Sequence, residues 1–369
     1  MSAPYKRTLD SYDNLDPERI RRAKQWRDGN QQGPVYAELY PTMQCNLNCL
    51  FCRRQTYFPP VPRGTEMTDE RLLRLVDELV ELDALEVCIK GGGEPLLRPK
   101  ILEHAAKRFS KALVRGQLIT NGTLLDDKIS ALLVDSGWME VCFSIDSPDA
   151  QTHDYLRDTK GAHSAALKNL RALAAARLRS GRKFPIIKIN MVLTARNCAQ
   201  LEAMLNFCAD NDVNNLSIDA MDPEVPGCEH LLLSEQQIAE LESGLKRCEE
   251  LAAKLGIYTN LSAFENPDYL RRKKAPSAPK GKQAIPCLLP RLQCSIRANG
   301  SLVPCCLASD DYKNPVLHTS SLKEAWDSMN SEFFNDLLSS EKPWYCGNCT
   351  QAFADSNMRL LKECGLAKK

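Results

Sequence analysis

The 369-residue chain predicts an α/β protein, a partial TIM-like (β/α)6 barrel followed by a small α+β domain built around cysteines. Three observations carry this. Strand-like segments at residues 35–42, 85–90, 116–120, 139–146, 186–194 and 215–220 alternate with amphipathic helical patterns, as parallel strands joined by crossover helices require. Each strand sorts into an apolar and a polar face, for example Val141, Phe143 and Ile145 against Cys142, Ser144 and Asp146. Strands of an open, doubly wound sheet would be apolar on both faces, so a barrel with outer helices and a polar lumen explains the split better. Finally, a proline- and lysine-rich stretch separates these elements from a second group of cysteines.

The elements follow in order. Residues 1–34 form an N-terminal extension with a basic helix near Pro17 to Arg27, too short for a separate recognition domain. Residues 35–265 form the barrel. Within it Thr68 caps a helix whose apolar face includes Leu72, Val76 and Leu79, with acidic residues at the positive end of the dipole. Ser234 and Gln237 make a capping box for a helix running through Ile238, Leu241, Leu245 and Cys248 to Gly256. Cys208 and Cys248 fall on apolar helix stripes and are expected in the core. Residues 266–285 read as a linker, and 286–369 as the cysteine-rich domain with a C-terminal helix.

Composition narrows the function. Lysine plus arginine (48) nearly cancel aspartate plus glutamate (47), so charge gives no reason to expect nucleic acid or an anionic membrane as partner. No apolar run approaches a membrane span, and the expected location is cytoplasmic. In a reducing compartment, sixteen cysteines point to metal ligands and buried small residues rather than disulfides.

Cys45, Cys49 and Cys52 lie at the end of the first predicted strand, spaced C-x3-C-x2-C. Soft thiolates select zinc, Cu(I) or iron–sulfur clusters. A closed zinc site needs a fourth ligand, and no histidine or further cysteine lies within thirty residues on either side. Three thiolates suit a [4Fe-4S] cube whose fourth iron stays open. Further along, Cys287, an Asn299-Gly300 hairpin turn, Cys305 and the pair Cys346 and Cys349 outline a closed four-thiolate site. By residue type this second set is zinc or another [4Fe-4S] cluster, with zinc favoured. Cys294 and Cys306 are spare thiols that can replace an assigned ligand, and Cys364 stands near the end.

The first cysteine loop, with Phe51 just before its last cysteine, resembles that of the radical S-adenosylmethionine (SAM) superfamily. Gly92-Gly93-Glu94-Pro95, after the second strand, resembles the family motif that holds the SAM amino group. The resemblance implies that Ser144 and Arg157 engage the SAM carboxylate, with Asp146 near the ribose or orienting its neighbours. It places Asn121 and Asn190 at the same site and Leu193 beside the adenine. The order Cys287, hairpin, Cys305, Ser321 to Trp326, then C-x2-C resembles the twitch domain, the shorter form of the SPASM extension. That favours an auxiliary [4Fe-4S] cluster over zinc, hence two clusters and an electron donor such as flavodoxin or ferredoxin.

The expected activity is reductive SAM cleavage to a 5′-deoxyadenosyl radical that takes hydrogen from a small molecule of sugar, aminoglycoside or nucleoside type. Oxidation, epimerisation or rearrangement would follow. The alternative is a peptide- or protein-modifying maturase, and a third reading is a zinc-binding module without catalysis. Cys228 is a candidate hydrogen-atom donor, and Asp219, with Lys90, Lys188 and Asp222, a candidate substrate contact or base.

Overall fold

A computed structural model of the chain describes residues 17–55, 65–223, 225–265, 270, 287–305, 308, 316–329 and 351–365. The six predicted strands are present as β1 (Tyr36–Leu39), β2 (Glu86–Ile89), β3 (Arg115–Thr120), β4 (Glu140–Ser144), β5 (Ile186–Leu193) and β6 (Asn215–Ala220). They pair in sequence order, every neighbour parallel. A two-residue strand, β7 (Tyr258–Thr259), continues the sheet beyond β6. On the other side β8 (Gln293–Ile296) adds in parallel to β1, and β9 (Leu302–Val303) returns antiparallel to β8.

The turn between β8 and β9 is the Asn299-Gly300 hairpin expected from sequence. Gly300 has φ +82°, a conformation in which a side chain would be strained. The cysteine-rich end therefore contributes strands to the barrel sheet itself, a join that sequence pattern did not reveal.

The alternation of strand residues sets the layers. Ala37, Leu39, Val87, Ile89, Val141, Phe143, Ile187, Ile189, Leu216 and Ile218 face outward into one apolar core. Helix α1 (Asp69–Glu81) closes that core with Leu72, Leu75, Val76 and Leu79, and the Thr68 side chain accepts the Arg71 amide as its N-cap. Helix α2 (Glu235–Leu255) carries the complete Ser234/Gln237 capping box. Cys208 and Cys248 lie in the core, as their helix stripes require.

The opposite strand faces form a polar lumen. Its floor is closed: Glu86 accepts from Gln117 at 2.7 Å, and Glu140 and Asn215 are buried. Higher up, Lys90 pairs with Glu38 at 2.5 Å, and Ser295 from β8 donates to the same carboxylate. Towards the strand ends Ser144, Asn190 and Asp219 are only half-buried.

The N-terminal helix (Pro17–Arg27) packs at the opposite end of the barrel. Ala23 shares a cluster with Val35, Leu288, Leu292, Leu360 and Leu361, so the two ends of the described chain meet there.

Candidate active site

The cysteine loop runs from the C-terminal end of β1, where (β/α) barrels collect their chemistry. It is held by backbone contacts with the glycine turn after β2. The Gly93 amide donates to Thr42 at 3.1 Å and the Glu94 amide to Gln44 at 2.8 Å. A Cβ on Gly93 would lie 1.9 Å from the Gln44 carbonyl oxygen, so only glycine permits this approach.

Each sulfur of the triad has an N–H donor beside it. Cys45 Sγ accepts from the Leu47 amide at 3.4 Å and lies 4.0 Å from Asn121 Nδ2. Cys49 Sγ accepts from Arg157 Nη1 at 3.6 Å, and Cys52 is served by the Arg54 amide. Such donors suit thiolates rather than thiols. Burial nonetheless pushes the Cys45 and Cys52 thiols up, and the neighbouring Cys49 adds to it. Three mutually repelling thiolates need a cationic centre to neutralise them, and the iron of a cluster supplies one. Among the described residues, no three histidine, cysteine or acidic side chains are gathered closely enough for a single ion.

Glu94 is 2 % exposed and joins the ends of β2 and β3. Its carboxylate accepts from the Asn121 amide at 2.8 Å, the Leu96 amide at 3.0 Å and the Thr120 hydroxyl at 2.7 Å. Burial raises its pKa, and no lysine, arginine or histidine among the described residues forms an ion pair with it. Arg157 attracts it without forming an ion pair, and a ligand ammonium would supply a counter-charge in direct contact.

Asp146 is fully buried and forms an ion pair with Arg157 at 2.6 Å, while its other oxygen accepts the Val192 amide at 2.9 Å. Burial raises its pKa against the attraction of Arg157. The Asp146 amide donates to His153 Nδ1 at 3.2 Å, and burial pushes His153 down to about 3, so the ring stays neutral as an acceptor. Asp146 is thus placed to orient Arg157. Arg157 also lies over the Phe51 ring, 5.3 Å from its centroid.

On the lumen wall Ser144 and Asn190 are register partners, and Asn190 Nδ2 donates to Asp219 at 3.2 Å. Leu193 lies on the other face of β5. It shares the outward parity of Ile187, Ile189 and Met191, and its side chain is 1 % exposed in the helix-facing core.

Cys228 lies beneath the cysteine loop, 3 % exposed, with its thiol donating to the Leu50 carbonyl. Arg53 pairs with Asp222 at 2.7 Å across the same boundary, a tie the sequence reading did not foresee. Its partners are distant along the chain and share no motif.

At the cysteine-rich end, Cys287 and Cys305 are half-buried against the barrel core. Cys294 is on the outward face of β8, inside that core, and burial raises its pKa strongly. It is not available as a replacement ligand. Cys306, Cys346 and Cys349 lie outside the described residues.

Comparisons with known proteins converge on this geometry. The radical SAM superfamily profile matches residues 39–208, and that of the SPASM iron–sulfur cluster-binding domain matches 287–350. The second interval contains Cys287, Cys305, Cys346 and Cys349. The chain is 35% identical over 160 residues to an AdoMet-dependent heme synthase of Methanosarcina barkeri, a match spanning 43% of each protein. It is 26% identical over 324 residues to the mycofactocin maturase MftC of Mycobacterium tuberculosis, spanning 84% of this chain and 73% of that one. The crystal structure of Streptococcus suis SuiB bound to S-adenosylmethionine shares the fold, with TM-score 0.64 and 16% identity over 90% of this chain and 76% of that one. No described helix is long and apolar enough to cross a membrane. The cysteine loop at the end of β1, the glycine turn docked on it and the two profile matches together show that the chain belongs to the radical SAM superfamily, as an enzyme with a C-terminal SPASM iron–sulfur domain.

Proposed function

We propose that the chain is a radical SAM maturase that modifies a peptide or protein substrate. The observation that carries this reading is the match to MftC, which runs through both the barrel and the cysteine-rich end. It favours the maturase alternative over the sugar, aminoglycoside or nucleoside substrate expected from the short N-terminal extension.

In this reading Cys45, Cys49 and Cys52 hold a [4Fe-4S] cluster with one open iron. When bound, that cluster supplies the electron that cleaves SAM to a 5′-deoxyadenosyl radical. Glu94 receives the SAM ammonium as the contact partner its buried carboxylate lacks. Arg157, fixed by Asp146, offers a guanidinium N–H to the SAM carboxylate, and Ser144 supports it from the strand end. Asn190 and Asp219 line the lumen wall where the substrate side chain enters. Cys287 and Cys305, with Cys346 and Cys349, would hold an auxiliary cluster, which would supply an electron acceptor for the substrate radical, and flavodoxin or ferredoxin would be the reductant.

A second reading rests on the 35% identity to the heme synthase and replaces the peptide by a heme precursor. One experiment separates the two. The anaerobically reconstituted protein is given SAM and a reductant with either a candidate precursor peptide or an iron-porphyrin. A SAM-dependent mass change in the peptide supports the maturase, and a change only in the porphyrin supports the second reading. Absence of 5′-deoxyadenosine from both mixtures would overturn both.

A further inference from the structure

Arg157 serves three groups at once. Its Nε lies 2.6 Å from the buried Asp146 carboxylate, its Nη1 donates to Cys49 Sγ at 3.6 Å, and its guanidinium carbon is 5.3 Å from the Phe51 ring centroid. The residue is 7 % exposed and Asp146 is fully buried. A guanidinium held on one side by a fixed carboxylate and on another by an aromatic face has little freedom to leave the cysteine sulfur. Asp146 is fixed in turn by the Val192 amide and by its own amide's bond to His153.

We propose that Arg157 is a positioning residue for the redox chemistry of the site: its N–H bond to the Cys49 thiolate raises the reduction potential of the cluster held there. A hydrogen bond and a positive charge at a ligand sulfur both stabilise the reduced cluster, which carries one more negative charge than the oxidised one. The low-dielectric surroundings strengthen that effect. Cys45 and Cys52 receive backbone amides, and the neutral Asn121 side chain stands 4.0 Å from Cys45, whereas the donor at Cys49 is a charged side chain 108 residues away along the chain. Among the three sulfurs, Cys49 is the one whose side-chain donor is charged, and a single substitution at Arg157 changes that charge without touching a ligand.

This inference rests on the assignment of a cluster to Cys45, Cys49 and Cys52. The test is a potentiometric titration of the full-length reconstituted protein without SAM, followed by the EPR signal of the reduced cluster. The signal belonging to this loop is the one absent from Cys45→Ala. In Arg157→Gln the midpoint should move negative, by about 59 mV for a tenfold fall in the ratio of reduced to oxidised cluster at a fixed potential. Arg157→Lys keeps the charge but loses the planar fork, so its midpoint should lie between wild type and Arg157→Gln. If Arg157→Gln does not retain iron, the shift in Arg157→Lys decides the matter. Unchanged midpoints in iron-loaded variants would overturn the inference and leave the cluster assignment standing. A wild-type protein whose spectrum is identical to that of Cys45→Ala would instead overturn the assignment itself.

Discussion

Cys228 donates its thiol hydrogen to the carbonyl of Leu50 at 2.7 Å, tying the loop after β6 to the middle of the cysteine loop. The two residues belong to one apolar cluster with Phe51, Leu156, Met221 and Val225. Arg53 and Asp222 close the same seam by an ion pair. The sequence made Cys228 a candidate hydrogen-atom donor; the geometry supports a clamp on the cluster loop.

The clamp predicts that Cys228→Ser, which retains a donor, keeps its iron and its SAM cleavage. Cys228→Ala leaves the Leu50 carbonyl without its partner and should cost about 1–3 kcal/mol of stability. Denaturation of the iron-loaded proteins and iron release to a chelator measure this. A serine variant that still makes 5′-deoxyadenosine but no product would restore the hydrogen-donor role.

The two glycines beneath the cysteine loop should differ in their tolerance. Gly93→Ala drives a methyl group to 1.9 Å from the Gln44 carbonyl oxygen, and backbone must move to admit it. Gly92→Ala meets only the end of the Met43 side chain, which can rotate away. Iron bound per chain should fall sharply in Gly93→Ala and remain near wild type in Gly92→Ala. Equal losses would show that the docking of the two loops is not what retains the cluster.

Replacing Cys45, Cys49 and Cys52 together by alanine should abolish 5′-deoxyadenosine formation while leaving iron at the auxiliary site. Iron quantification and chromatography of the reaction mixture give both readings. Nucleoside release by the triple variant would sink the assignment of this loop.

Glu38 links acid sensitivity to the lumen. Burial opposes its charge, but Lys90 at 2.5 Å and the Ser295 hydroxyl outweigh that penalty and hold the carboxyl below its ordinary value of 4.5. The folded state therefore binds this proton less readily than the unfolded state does. The stabilisation is present above pH 4.5 and is lost as pH falls through the lower folded value. Glu38→Gln should remove this acid-side loss and, by taking away the buried carboxylate that faces Lys90, cost about 3 kcal/mol at neutral pH. Urea midpoints of the two proteins across the acid range check the slope and the offset together.

Much of this molecule was legible in its sequence, because the signals are local and periodic. Alternation along residues 139–146 and 186–194 separates core from lumen, since neighbouring side chains in a strand point to opposite faces. The same parity governs Leu193, whose side chain belongs with Met191 and the outer core, while Val192 stands on the lumen side. The caps at Thr68 and Ser234 and the turn at Gly300 follow from side-chain and backbone chemistry within four residues. The spacing of Cys45, Cys49 and Cys52 likewise needs only one loop to bring the thiols together.

Tertiary structure decided what lies between distant segments. Nothing local announces that Arg157 reaches Cys49, that Cys228 holds Leu50, or that β8 joins β1 and buries Cys294 in the barrel core. These contacts arise from strand order and the packing of helices over it, which bring together residues that no short motif connects. The sequence by itself determined which thiols lie within one short loop. The fold decided which charges and donors stand beside them, because that depends on where the whole sheet places each strand end.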